Sequence, residues 1–395
     1  MSAFPLPSAP PETLGFLPER LDRLTEAMAR QVEEKRAPGA AMLIYRHRKV
    51  AFRRCVGRLR PHGAPMPEDA IFRIYSMTKP IVSVAAMTLV EEGRLSIIDP
   101  VSDYLPAFAN PKVGVERDGQ LEFVPAKRPI TIQDLMRHTS GLTYGFTGAS
   151  AVQRLVSAAN IFDLSKTTAE QADALAGLPL QHQPGEAWEY SHSTDVLGRV
   201  VEVAAGGTLG DILSRRIFEP LAMRDTSFYT PPAKLERRAE PFSVDLAESI
   251  GASATIDVTA APRFEMGGTG LVSTLADYAR FAAMLMNGGE LDGARILAPR
   301  TIAFMASDHL DAKVEKNHYL LWPGHGFGLG FAVRTASGLA PAAGSVGEYF
   351  WGGMMGTAFW VSPRDSMFAL LMVQSLENRE FFRVLFRNLV NAAIA

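Results

Sequence analysis

A single cysteine, Cys55, stands in this chain of 395 residues, so neither an intramolecular disulfide nor a cluster of thiolate metal ligands can form. It falls in a strand-like stretch, which predicts a buried and inert thiol. Long apolar runs are also absent, and even Phe368 to Val373 is only strand-sized, too short to cross a bilayer. Charge of neither sign dominates: the formal net charge of -2 leaves no footprint for nucleic acid or an anionic membrane. The start, Met1-Ser2-Ala3-Phe4-Pro5-Leu6-Pro7, is broken by prolines and lacks the charged and apolar regions of a secretory leader, so a cytoplasmic protein is expected. No G-x-S-x-G elbow occurs, which argues against a Ser-His-Asp hydrolase. The eight histidines never form H-E-x-x-H, which argues against a zinc hydrolase. No metal or other cofactor is implied.

What is present is a composition able to bury a large core, 47% hydrophobic and 21% charged. Leu21, Leu24, Met28 and Val32 recur at helical spacing before Pro38-Gly39. The runs Ala40 to Tyr45 and Val50 to Val56 flank Arg46-His47-Arg48 and predict a β-hairpin. Near the other end, Thr357 to Val361 and Met367 to Gln374 flank Pro363-Arg364-Asp365 and predict a second hairpin, its last strand central. Phe382, Leu385, Phe386, Leu389 and Ala393 then mark one face of a covering helix. From the Ser76 region to Asp257 the pattern is helical, with few alternating stretches. It includes a capping box at Thr131 to Asp134 and a helix from Asp195 to Ala205. A sheet drawn from both chain ends around a helical middle is therefore expected. Gly267, Gly268 and Gly270 predict a turn closely approached by other groups.

The chemistry centres on Ser76-Met77-Thr78-Lys79, between the strand-like Ile71 to Tyr75 and an apolar helix from Val82 to Val90. Residues three apart on a helix share a face, so the lysine amine can reach the serine hydroxyl. A serine is a weak nucleophile until a base takes its proton. An amine can do so only when neutral, a form that burial and the positive end of a helix favour. S-x-x-K alone recurs by chance in chains of this length, so other segments must decide. Tyr190, on the loop Gly185 to Ser193, can project into a cleft and relay a proton. Trp351-Gly352-Gly353-Met354 puts paired glycines on a strand whose backbone N–H can complete an oxyanion hole.

In order and position these segments resemble the signature set of class C β-lactamases, D-aminopeptidases and family VIII carboxylesterases. His138-Thr139-Ser140-Gly141-Leu142, Pro184-Gly185, Asp195-Val196-Leu197-Gly198 and Gly268-Thr269-Gly270-Leu271 extend the resemblance over nearly the whole chain. It implies an α+β fold: an antiparallel β-sheet flanked by helices, formed by residues 1–85 and 262–395, plus a mainly helical domain, residues 86–261, with the active site between them. It implies Ser76 as the acylated nucleophile, with Lys79 and Tyr190 exchanging its proton in an order the sequence leaves open. The backbone N–H groups of Ser76 and Met354 would form the oxyanion hole. Tyr144 and Phe146 resemble residues lining the acyl pocket. His138 is expected to be a structural cap.

Two departures narrow the substrate. Where a β-lactamase has Lys-Thr-Gly, this chain has Trp351-Gly352-Gly353, so the cation that would hold a β-lactam carboxylate is replaced by an indole. Where the family has Tyr-x-Asn, this chain has Tyr190-Ser191-His192, and the amide that would bind a substrate amide is gone. His192 can bind substrate, influence the tyrosine, or serve only as a hydrogen-bonded loop residue. The expectation is a hydrolase of small neutral esters, its partner a small molecule. Acyl transfer, weak β-lactam or D-amino-peptide hydrolysis, and ligand binding without catalysis are the alternatives.

Overall fold

The computed structural model describes residues 4–242, 256–316 and 320–395. The reading of Met1 to Ala3, and the part of the helical middle at residues 243–255, lie outside the described residues. Helix α1 (Pro18–Glu33) buries Leu21, Leu24, Met28 and Gln31. Each fully buried leucine or methionine contributes roughly 1.5–3 kcal/mol of transfer free energy. Strands β1 (Gly39–Arg46) and β2 (Lys49–Gly57) form the first expected hairpin, its turn held by His47 and Arg48 at positive φ. Then come the central helix α2 (Thr78–Glu91), α3 (Ser193–Ala205) and α4 (Leu275–Met286). The chain closes with β3 (His325–Phe327), β4 (Ala332–Arg334), β5 (Tyr349–Gly352), β6 (Ala358–Ser362), β7 (Met367–Val373) and α5 (Arg379–Ala392).

These strands make one seven-stranded antiparallel sheet in the order β3-β4-β5-β6-β7-β1-β2, so the first and last segments of the chain pair side by side within it. Strand β7 lies between β6 and β1 with every residue buried, which is why it reads as an unbroken apolar run. Its alternation splits the core. Ala369, Leu371 and Val373 pack with Phe382, Phe386 and Val390 of α5 and the apolar stripe of α1, while Phe368, Leu370 and Met372 join the larger core beneath α4. α2 is buried from Thr78 to Leu89 and packs against α3. Such a helix has no polar face and reads as a core element.

The helical middle is less uniform than expected. Strands Lys112–Arg117 and Gln120–Pro125 form an outlying hairpin, largely exposed, turned by Asp118 and Gly119 at positive φ. Asp-Gly between alternating residues favours this turn. Its charged outer positions hide the alternation that marks a half-buried strand. The capping box forms as expected, with the Thr131 side chain accepting from the Asp134 N–H and the Asp134 carboxylate accepting from the Thr131 N–H. Cys55 lies on β2, half-buried, its thiol pushed up to about 11, first by burial and then by the carboxylates of Glu68 and Asp69 against Arg53. No described helix is long and apolar enough to cross a membrane.

Candidate active site

Ser76 sits where a short strand, Ile71–Arg73, turns into α2. That strand pairs with Val272–Thr274, and the turn is pinned from several directions. The Ile74 N–H donates to the Leu271 carbonyl (3.1 Å), Gln374 just past β7 donates to the Arg73 carbonyl (3.1 Å), and the Tyr278 hydroxyl of α4 donates to the Met77 carbonyl (3.0 Å). Tyr75 adopts φ 45, in the left-handed region that a bulky side chain rarely occupies. The fixed partners around it hold this conformation. The turn thus presents Ser76, 8% exposed, at the start of a buried helix.

Lys79 follows one helical turn later and is wholly buried. Its Nζ donates to the Gly268 carbonyl (2.8 Å), the Tyr144 hydroxyl (3.2 Å) and Ser76 Oγ (3.4 Å). Those acceptors match the three donors of an ammonium group. The same nitrogen lies 4.5 Å from the centroid of the Tyr190 ring, a cation–π contact. The close approach expected at the glycine turn is therefore to the lysine. Gly268 in turn donates its N–H to Asp195 Oδ1 (2.8 Å), whose Oδ2 pairs with His192 Nδ1 (2.9 Å). A Cβ at position 268 would lie 3.0 Å from the Asp195 carboxylate and 3.2 Å from the Tyr144 hydroxyl, so only glycine fits without displacement.

Tyr190 faces the lysine from the loop preceding α3. Its hydroxyl accepts a hydrogen bond from the Trp351 indole N–H (3.2 Å), and the two rings lie 5.3 Å apart. Trp351, on β5, also packs edge-on against Phe327 (5.2 Å). Beyond Trp351 the strand pairs with β6: Gly352 stands opposite Ala358, and the Gly353 N–H donates to the Thr357 carbonyl (2.7 Å). A Cβ at Gly353 would lie 2.4 Å from the Ile74 carbonyl, so glycine here lets the strand end abut the turn that carries Ser76. Among the described residues, the Met354 N–H donates no hydrogen bond. The Ser76 N–H lies in the first turn before α2, where amides have no intrahelical partner.

The sequence-derived residues are therefore brought together, with two in places their pattern did not reveal. Tyr144 is buried, its hydroxyl on Lys79 rather than in an open pocket, and burial, then the charge of Asp195 and the nearby Tyr190, push its pKa well above the ordinary phenol value. His192 is buried too, with its ring against Tyr144 (4.3 Å) and Nδ1 on Asp195. Phe146 is 57% exposed and stacks on Tyr144 (4.9 Å), which in turn stacks on Phe162 (6.1 Å), forming an aromatic rim. Sequence reasoning gave no role to Asp195, which links His192 to the Gly268 turn. Its signals were its place in the first turn of the helix after Tyr190-Ser191-His192 and in the Asp195-Val196-Leu197-Gly198 segment of the resemblance.

His138 takes φ 58 just past the helix Ile132–Met136, the left-handed position at which helices commonly end, in keeping with a structural cap. Its ring packs on Tyr190 (4.8 Å), and burial, then the charge of Lys79, drive its pKa well below the ordinary histidine value. It is held as a neutral imidazole. Among the described residues there is no group of three or more His, Cys, Asp or Glu side chains able to hold a metal ion.

Residues 24–394 match the Beta-lactamase family, which is nearly the whole chain. The chain belongs to that family. Protein Rv1367c of Mycobacterium tuberculosis is 36% identical over 321 residues, covering 79% of each chain. Esterase EstB of Burkholderia gladioli is 32% identical over 375 residues, covering 89% of this chain and 90% of its own. The solved structure of EstCE1, described as a hydrolase with promiscuous acyltransferase activity, superposes with a TM-score of 0.77 at 26% identity, over 94% of this chain and 98% of its own. The expected α+β fold, an antiparallel sheet flanked by helices, is the one observed, and the chain is a family VIII esterase-like serine hydrolase.

Proposed function

We propose that this member of the family hydrolyses small, neutral carboxylic esters through an acyl-enzyme on Ser76. The observation that carries the reading is Trp351: an indole, hydrogen-bonded to Tyr190, stands on the cleft strand where a β-lactamase has a lysine. An apolar ring there offers a wall to an ester and no charge to a carboxylate. The hydroxyl of Ser76 attacks the ester carbonyl, and its proton passes either to Tyr190 as a phenolate beside the Lys79 ammonium or to Lys79 as a neutral amine. The carbonyl oxygen becomes an oxyanion that the N–H groups of Ser76 and Met354 receive. Collapse of the tetrahedral intermediate breaks the C–O bond, and the same proton goes to the departing alcohol. Water then attacks the acyl group, loses its proton to the same relay, and frees the acid and Ser76. The Met354 N–H, which donates no hydrogen bond among the described residues, supports this account, as do the buried Lys79–Ser76 contact and the likeness to esterases.

On this reading the cleft lies between a sheet unit, residues 1–85 and 262–395, and a mainly helical unit, residues 86–261. Tyr144 and His192 hold the lysine side, and Phe146 with Trp351 frames the acyl group. Transfer of the acyl group to an alcohol is the second reading, favoured by the activity described for EstCE1. It uses the same intermediate and differs only in whether water or an alcohol reaches it first. The test is turnover of a short-chain aryl ester beside that of a cephalosporin, with and without a primary alcohol. Ester turnover at least about 100-fold above cephalosporin turnover, a gap of about 2.7 kcal/mol, is expected. Equal or faster cephalosporin turnover contradicts the assignment, and ester product as the main outcome at low alcohol favours the second reading.

A further inference from the structure

One side chain outside the serine, tyrosine and strand segments of the site bears on the oxyanion hole of the proposed function. Arg383, on α5, reaches across the end of β5. Its Nη2 donates to the Gly353 carbonyl, and its Nη1 donates to Glu380 Oε1 (2.5 Å). Its guanidinium lies flat against Gly352, where a Cβ would come within 2.7 Å of Cζ. The side chain is 20% exposed.

The carbonyl that Arg383 grips and the N–H of Met354 belong to one peptide group. A trans peptide is planar, and its C=O and N–H point in opposite directions. Fixing the carbonyl toward α5 therefore fixes the N–H away from it. The Gly356 N–H also donates to this carbonyl (3.0 Å), closing the turn from Gly353 to Gly356, so Arg383 is a second donor and the one that ties the peptide to another element; the Met354 N–H has no partner among the described residues. Gly353 is held on its other side by the Thr357 carbonyl and stands against Ile74, at the nucleophile turn.

We infer that Arg383, bracing the carbonyl that the Gly356 N–H also holds, fixes the aim of the Met354 N–H of the same peptide toward the oxyanion, an inference that rests on the esterase reading. It gives Gly352 a purpose that a glycine-rich turn would not: a side chain there would push the guanidinium off the strand. The clamp acts on the transition state, since an oxyanion needs both donors and a ground-state ester carbonyl needs them much less.

The experiment compares wild type with Arg383→Gln in aryl-ester hydrolysis and in inhibition by a phenylboronic acid, whose tetrahedral adduct on a serine needs the oxyanion hole. Expected is a fall in kcat of about 10- to 100-fold, below the 10²–10³ of deleting such a donor, with KM within about threefold. Boronate affinity should fall in parallel with kcat/KM. Glu380→Gln, which spares the contact with Gly353, should stay within about threefold of wild type in kcat. A loss confined to KM, or boronate affinity unchanged in Arg383→Gln, overturns the inference. A loss in Glu380→Gln equal to that in Arg383→Gln overturns it too, because the ion pair would then carry the effect. Where the glutamine variant does not fold, the proportionality between kcat/KM and boronate affinity is read in Arg383→Lys. A wild type whose Ser76 does not react with the ester sinks both the esterase reading and the clamp; a reactive wild type with an unaffected Arg383→Gln sinks the clamp alone.

Discussion

The two sides of Ser76 are built on different principles. On the lysine side, side chains do the positioning: Lys79 is fully buried and donates to Gly268, Tyr144 and Ser76, while Asp195 and His192 brace the turn behind it. On the strand side, backbone does it: Trp351 supplies a ring, but Gly352 and Gly353 have no side chains, and what matters is where one peptide points. On the proposed function, the lysine side handles a proton and needs a closed, hydrogen-bonded environment, and the strand side receives a substrate and must leave an edge open. A change on the first side should therefore act through proton transfer, and a change on the second through geometry at the carbonyl.

The largest effect expected is from removing the proton-transfer pair. Ser76→Ala and Lys79→Ala should each lower kcat for an aryl ester by about three orders of magnitude or more, with the circular dichroism spectrum retained. Unchanged hydrolysis in the serine variant would remove the mechanism. Next comes a contrast within the strand side. Gly353→Ala forces a Cβ to 2.4 Å from the Ile74 carbonyl, which is backbone and cannot yield cheaply, whereas the group met by Gly352→Ala is the movable end of Arg383. Steady-state kinetics should show a kcat loss of about 100-fold for the first and about tenfold for the second. Equal losses would mean that the whole strand shifts as a unit.

A smaller effect is expected at the wall. Trp351→Ala should leave short acetyl esters hydrolysed while shifting the relative kcat/KM of longer acyl chains by about tenfold, read from a chain-length series. An identical profile would place the ring outside the acyl pocket.

How far these contrasts could be read from the chain depends on the distance over which each feature is made. Both hairpins of the large sheet, the terminal helices and the Thr131–Asp134 capping box are set by neighbours a few residues apart, and alternation, helical spacing and capping residues announce them. The Asp118-Gly119 hairpin was also announced locally, but exposed charges along its strands mask the pattern. The site splits the same way. Ser76 and Lys79 are a local pair, whereas Tyr144 on Lys79 joins residues 65 apart and Gly268 on Asp195 joins residues 73 apart. Arg383 on Gly353 spans 30 residues and two elements, and nothing in either local pattern names the other. Long-range hydrogen bonds to backbone carbonyls leave no periodicity behind.

The smallest effect concerns the scaffold under the lysine side. Burial pushes the Asp134 carboxyl up, but Arg128, the Thr131 N–H and the Thr139 hydroxyl outweigh it and hold its pKa below the ordinary aspartate value. The stability this supplies is therefore fully present above about pH 4 and is lost as pH falls through the lowered value. Asp134→Asn should be less stable than wild type near neutral pH, and its denaturant midpoint should change less between neutral and acid pH. A parallel acid dependence in both proteins would show that Asp134 is not the group responsible.

The central claim is that Ser76 forms the acyl-enzyme. Its most direct test is intact-protein mass after brief mixing with a short-chain aryl ester, followed by fragmentation to locate the adduct. The account predicts a mass increase of one acyl group on the peptide containing Ser76, absent in Ser76→Ala. Turnover of the ester with the acyl group on another residue, or an adduct that persists in Ser76→Ala, would contradict it.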